Sequence, residues 1–198
     1  KNKIFVISFN KTGTTTLGKV LQEYGYRVCG NFYGIMRWQN ISYDKLLNYG
    51  NQLIPYFDAF QDIPWFLLYK DIEATYPDAK FIYIDRNVEK WINSFKKNYR
   101  LDKTNSIYKY IFNSDNLNDK ILRNTYINHK NDIIDYFKDK PHKLLIIDIN
   151  KSKVSEILDF LNEKYLYDRK IPTYHKTSKK NNLKTKVKRR IKYYLFGN

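Results

Sequence analysis

The sequence predicts a single α/β domain with a mainly parallel sheet flanked by helices, and three observations carry that prediction. First, three short β-rich apolar runs occur, at Ile4-Phe5-Val6-Ile7, Phe81-Ile82-Tyr83-Ile84 and Leu144-Leu145-Ile146-Ile147. They are continuous rather than alternating, the pattern of strands buried on both faces. Second, helical patterns separate them, the alternation that builds a parallel sheet. Third, 198 residues at 42% apolar and 17% aromatic are too hydrophobic for disorder. A chain of this length buries about 70% of its unfolded surface in one core.

Each element follows in order. Thr15 to Tyr24 places Leu17, Val20 and Leu21 on one helical face. Pro55-Tyr56-Phe57-Asp58-Ala59-Phe60 reads as a weaker strand ending near Gln61, and Pro64 then opens a helix running to Tyr76. Asp62 is thereby expected at a strand's carboxyl end. Val88 to Tyr99 and Val154 to Leu161 are further helices. The stretch from Leu101 to Lys140 has helix-like spacing at Ile121, Leu122, Ile127, Ile133 and Ile134. It is expected to form two helices over the sheet, a lid spanning 99–140. Neither an internal repeat nor a Gly/Ser- or Pro-rich linker divides the chain, so 1–175 is expected to be one domain and 176–198 a basic tail.

The net charge of +16 points to anionic partners. Nine Lys or Arg and no acid lie from Lys176 onward, so the body itself is modestly basic. Within the tail, Val187, Ile191, Tyr194 and Leu195 fall at helical spacing opposite basic residues. Such a helix could sit on an anionic membrane or a sulfated glycan, or dock its narrow stripe on its own domain; nucleic acid is the weaker option. No run approaches the roughly 18 apolar residues of a membrane span. The first residues read directly as a strand, without a basic-then-apolar leader, so any upstream targeting or anchor segment has been trimmed or never existed. A cytoplasmic protein is expected, with the tail able to hold it at a membrane surface. Cys29 is the lone cysteine, which excludes an internal disulfide and reads as a buried thiol. His129, His142 and His175 lack metal-ligand spacing, so no metal is implied.

The segment Ile7-Ser8-Phe9-Asn10-Lys11-Thr12-Gly13-Thr14-Thr15-Thr16-Leu17 leaves a strand, turns through one glycine and enters a helix. That arrangement aims backbone N–H groups and the positive helix end at an anion. Gly13 permits close backbone approach, the threonine hydroxyls add donors and Lys11 adds a mobile charge. A helix N-cap built from threonines would look alike, so the loop needs a second motif. An overlapping run, Gly13 to Val20, matches the nucleotide-kinase loop G-x-x-x-x-G-K-[ST] except at its last place. Val20 cannot ligate magnesium, and Gly18-Lys19 falls inside the expected helix.

The loop resembles that of the sulfotransferases that use 3′-phosphoadenosine 5′-phosphosulfate (PAPS), which reads Pro-Lys-[Ser/Thr]-Gly-Thr-[Thr/Ser] against Asn10-Lys11-Thr12-Gly13-Thr14-Thr15 here. Asn10 replaces the usual proline. Thr16 stands where the cytosolic branch carries an adenine-stacking tryptophan. A second stretch, from Asp78 through Arg86 to Phe95, is a buried strand, an Arg at its end and then a helix with Ser94 eight residues on. It is similar to the family's 3′-phosphate site, where such an Arg and Ser converge on the donor; a guanidinium makes bidentate phosphate contacts. The competing role for Arg86 is an ion pair with Glu89. In the cytosolic branch a His-x-Pro step at a strand end supplies the catalytic base. Asp62-Ile63-Pro64, twenty-four residues before Arg86, occupies that place, and other branches use a carboxylate. The stretch from Asp62 to Phe81 looks like a group of short bacterial and viral sulfotransferases.

The resemblance implies a P-loop-like fold and a sulfotransferase. Lys11 and Asp62 would be catalytic, and Lys11, Thr12, Gly13, Thr14, Thr15, Thr16, Arg86 and Ser94 would hold PAPS, with adenosine 3′,5′-bisphosphate as product. Asp58 is the next candidate base, and Lys176 beside His175 could add charge near the 3′-phosphate. An acceptor hydroxyl must lose its proton as sulfur is attacked, which is why a base is required. A carbohydrate acceptor is favoured because Tyr and Trp are abundant and aromatic faces suit sugars. The rivals are a magnesium-dependent P-loop kinase and a non-catalytic basic binding module.

Overall fold

The computed structural model describes residues 2–30, 34–99, 106–165 and 167–172. The expected basic helix of 176–198, with His175 and Lys176, lies outside the described residues. The sheet has five strands, all parallel: β1 (Ile4–Val6), β2 (Val28–Cys29), β3 (Ala59–Phe60), β4 (Lys80–Ile84) and β5 (Leu144–Ile147), in the order β2-β3-β1-β4-β5. All three expected apolar runs are strands, and the weaker one ends before Gln61 as expected. Strand β2 is two residues long, too short to leave a periodic signal.

Helices cover both faces: α1 (Thr14–Glu23), α2 (Tyr43–Leu53), α3 (Tyr69–Thr75), α4 (Val88–Asn98), α5 (Ser106–Phe112), α6 (Asp119–Phe137) and α7 (Val154–Phe160). Strand alternation sorts the core into two layers. On one face Ile4, Val6, Ala59, Ile82, Ile84 and Ile147 meet Leu17, Val20 and Leu21 of α1 and Val154, Ile157 and Leu158 of α7. On the other face Phe5, Ile7, Phe60, Phe81 and Tyr83 meet aromatic side chains of α4 to α6. Helices α1 and α7 pack on the aliphatic face, and α2 to α6 contribute to the aromatic one.

The two helices expected between 99 and 140 are present, and they belong to this aromatic layer. Tyr108 and Phe112 of α5 and Leu122, Tyr126, Ile133 and Phe137 of α6 are buried in it. His129 of α6 is half-buried against it, and its Nε2–H donates to the Ile7 carbonyl at 2.8 Å. Burial pulls this imidazole down to about 4. The helix expected from Pro64 to Tyr76 is instead a short 3-10 turn, Trp65–Leu67, followed by α3. Trp65, Phe66, Leu68, Tyr69 and Ile72 are all buried, a wider arc than one regular helix face presents. Helix α2 had no counterpart in the sequence reading; Ser42 caps it, its Oγ accepting from the Lys45 N–H. No helix among the described residues is long and apolar enough to cross a membrane.

Candidate active site

In a parallel sheet the carboxyl ends of the strands form one edge, and ligands bind in the crevice there. Three neighbouring strands of this sheet deliver chemistry to it: β3 through Asp62, β1 through the Lys11 loop and β4 through Arg86.

The loop after β1 is held by a set of donated hydrogen bonds. Asn10, where the family pattern has proline, gives its Nδ2 to the hydroxyls of Tyr99 (2.7 Å) and Tyr108 (3.2 Å). Its carbonyl accepts from Trp91 Nε1 at 2.9 Å. Proline fixes a backbone by its ring; here three aromatic side chains from α4, its C-cap and α5 fix it from outside. Ser8 Oγ accepts from the Ile84 N–H, tying the loop's start to β4. Lys11 adopts φ 72 and Gly13 φ 124. A Cβ on Gly13 would also sit 3.2 Å from Ile149 Cγ1, so the glycine is required twice over. The left-handed turn directs successive N–H groups to one side, the concavity that binds anions.

Helix α1 starts at Thr14 with no side-chain cap and no acidic residue in its first turn. Its positive end faces the loop with no acidic residue of its own, and the carboxyl that meets it is that of Asp62. The hydroxyls behave differently from expectation. Thr12 Oγ1 donates to the Phe9 carbonyl at 2.7 Å and Thr14 Oγ1 donates to Asp62 Oδ1 at 2.6 Å. Each hydroxyl has one hydrogen, so these two threonines offer an anion their backbone N–H groups, while Thr15 is exposed. Gly18 and Lys19 lie inside α1 and Val20 is fully buried, so the kinase-like register forms no loop. Gly18 has a packing reason: a Cβ there would fall 2.4 Å from Gln61 Oε1.

Arg86 follows β4 and reaches the same place. Its Nη1 donates to the Lys11 carbonyl, and its backbone is clasped by Tyr126, whose hydroxyl accepts from the Arg86 N–H (3.2 Å) and donates to its carbonyl (2.9 Å). Burial pulls Arg86 below its ordinary value, yet a guanidinium keeps its charge in a protein. Glu89 is engaged by Arg123 at 2.7 Å, which removes the ion pair that competed for Arg86. Ser94 is half-buried on α4 two turns further on.

Asp62 closes the group. It follows β3, is buried, and has φ 68, a left-handed backbone that non-glycine residues adopt at a cost. Burial raises its carboxyl above the usual range, opposed by the Thr14 hydroxyl and the Lys11 charge. Asp58 is corrected as the alternative: it precedes β3, at the opposite end of the strand. Arg27 grips it from Nε and Nη2 at 2.9 Å each. That pairing holds its carboxyl well below the ordinary range, and no proton acceptor for a distant site results.

Trp91, Tyr99, Tyr108 and Tyr126 were missed by sequence reasoning as supports of the site. The available signal was the substitution of asparagine for proline, since a freed backbone needs outside partners.

A family model described as a sulfotransferase domain matches residues 3–112, more than half of the chain, including the Lys11 loop, Asp62, Arg86 and Ser94. The chain belongs to the sulfotransferase domain family. No curated protein matches it. The α/β architecture with an all-parallel sheet agrees with this sulfotransferase membership. In this sulfotransferase domain the helices α6 and α7 and strand β5 fall after the matched segment, yet β5 pairs with β4 along its whole length. They complete the fold around the matched core.

Proposed function

We propose that this chain transfers the sulfuryl group of PAPS to an acceptor hydroxyl of a carbohydrate, by direct in-line displacement. One observation carries the reading: a cationic anion-binding loop, a half-buried guanidinium and a buried carboxylate converge at the ends of three adjacent strands, β3, β1 and β4.

The loop N–H groups from Thr12 to Thr15, the Thr16 side chain and Lys11 take the 5′-phosphosulfate, while Arg86 and Ser94 take the 3′-phosphate; the Thr16 N–H itself closes the first helical turn on the Gly13 carbonyl. Asp62 accepts the proton of the acceptor hydroxyl as its oxygen bonds to sulfur. The bond from sulfur to the bridging phosphate oxygen breaks, and Lys11 with the helix end balances the charge that grows there. Adenosine 3′,5′-bisphosphate and a sulfate ester leave. Burial of Asp62 favours proton uptake, opposed by the Thr14 hydroxyl and the Lys11 charge.

The test is thermal stabilisation by adenosine 3′,5′-bisphosphate, since a ligand that binds only the folded state raises its stability in proportion to concentration over Kd. A clear rise in Tm at millimolar ligand, absent with adenosine alone, is expected. An unchanged Tm would reject the donor assignment.

A further inference from the structure

Strand β2 ends at Cys29 on the same sheet edge as Asp62, and the chain beyond it builds a surface that the donor site does not use. Residues 34–53 fold as a 3-10 turn, Ile35–Arg37, a short loop and α2. Two contacts seat this segment on core elements that adjoin the site. Gly50 of α2 lies on Leu68 and Trp65, where a Cβ would approach to 3.0 and 3.4 Å, and those residues directly follow Asp62-Ile63-Pro64. The Ile35–Arg37 turn packs on α5, whose Tyr108 holds Asn10 of the anion loop. Ile35 and Leu46 are fully buried beneath it, so the surface is seated on the core.

Between the loop and α2 lies a groove of about 530 Å³, within the range of small-molecule sites. Its chemistry is unusual for the body of a basic protein. Trp38 and Tyr49 meet edge to face at 5.3 Å, giving an aromatic wall, and four carboxamides, Gln39, Asn40, Asn48 and Gln52, stand around it. Lys45 is the lone cation, its Nζ donating to the Asn40 carbonyl at 3.3 Å, and no carboxylate lines the groove among the described residues.

We propose that this groove is the acceptor subsite, and that it holds a sugar chain whose hydroxyl is presented to Asp62. This rests on the transferase reading above. An aromatic ring covers the C–H face of a pyranose, and a carboxamide both donates to and accepts from hydroxyl groups, which neither Lys nor Glu does alone. A phosphate or nucleic-acid ligand would call for several cations where the groove has one. An acidic sugar is tolerated because nothing in the lining repels it.

The experiment applies wild-type protein and the variants Trp38→Ala, Asn48→Ala and Gln52→Ala to an array of immobilised neutral and uronic-acid-containing oligosaccharides. Adenosine 3′,5′-bisphosphate binding is measured on each in parallel. A subset of sugars should bind, weakening at least tenfold in Trp38→Ala and several-fold in the other two, with bisphosphate affinity unchanged. Asn48 and Gln52 are exposed, so they decide the matter if Trp38→Ala fails to fold. Absence of sugar binding by a protein that still binds the bisphosphate overturns the groove alone. Sugar binding that ignores all three substitutions overturns it too. Trp38-dependent sugar binding without bisphosphate binding upholds the groove and rejects the donor reading instead.

Discussion

The Thr14 hydroxyl donates to Asp62 Oδ1 at 2.6 Å, and both residues are buried. Thr14 opens α1, the helix whose amino end faces the Lys11 loop, so the residue that starts this helix also orients the candidate base. With Oδ1 engaged, Oδ2 is the oxygen left to take a proton. Asp62 sits at φ 68, and this contact ties its side chain to a second element.

Thr14→Val is therefore expected to move the acidic limb of the pH–rate profile. A hydroxyl donating to the charged carboxylate lowers its pKa, so removing it raises the pKa beyond what burial already does. A base must be ionised to act, so the rate falls at neutral pH and recovers at higher pH. Thr14→Ser keeps the hydroxyl and should keep the profile. A Thr14→Val profile superimposable on that of wild type would show that the contact has no catalytic part.

Asp62→Asn preserves shape and still accepts from Thr14 through Oδ1, but cannot take the proton. Turnover should drop by about 10² to 10⁴ while bisphosphate binding persists. Stability moves the other way. A carboxyl whose folded pKa is raised stabilises the fold only while protonated, and that contribution is lost as pH rises. The variant should thus melt above wild type at pH 7 to 8, and the gain should shrink as pH falls. Near-normal turnover with any acceptor removes Asp62 from catalysis.

Arg86→Ala should weaken bisphosphate binding by about 2 kcal/mol, roughly thirtyfold, through loss of a charge-assisted contact. Arg86 also donates to the Lys11 carbonyl, so Arg86→Lys restores charge but not the fork. Isothermal titration should place the lysine variant between wild type and alanine. Equal affinity of all three would exclude Arg86 from the donor site.

Two titratable groups packed against the core, His129 and Glu73, predict a stepwise acid transition. His129 is pulled from 6.5 to about 4 in the folded protein, so the unfolded chain takes its proton first and stability falls between pH 6.5 and 4. Glu73 is buried and is met by Lys140 and Tyr136 at 2.7 and 3.0 Å and by Lys143. Those partners outweigh desolvation and hold it at about 2, so its contribution is present above 4.5 and is lost towards pH 2. Denaturant melts across this range should show both slopes. In Glu73→Gln the second should flatten, with lower stability at neutral pH because two lysines lose the negative charge they pair with. A second slope unchanged by that substitution would assign the acid sensitivity elsewhere.

Much of the fold was legible because the longer strands β1, β4 and β5 are apolar on both faces, a pattern independent of their neighbours. The positions of Lys11, Asp62 and Arg86 at strand ends were legible for the same reason: a turn residue beside an apolar run must lie at the sheet edge. What the sequence could not carry is pairing across long separations. Asp58 and Asp62 are four residues apart and both flank β3, yet a two-residue strand sends them to opposite ends of the sheet, one to Arg27 and one to Thr14. The holding of Asn10 by Trp91, Tyr99 and Tyr108, and the clasp of Tyr126 on Arg86, join residues 40 to 98 apart. Local propensity and periodicity describe only neighbours along the chain, so those partners were decided by the packing of the aromatic layer alone.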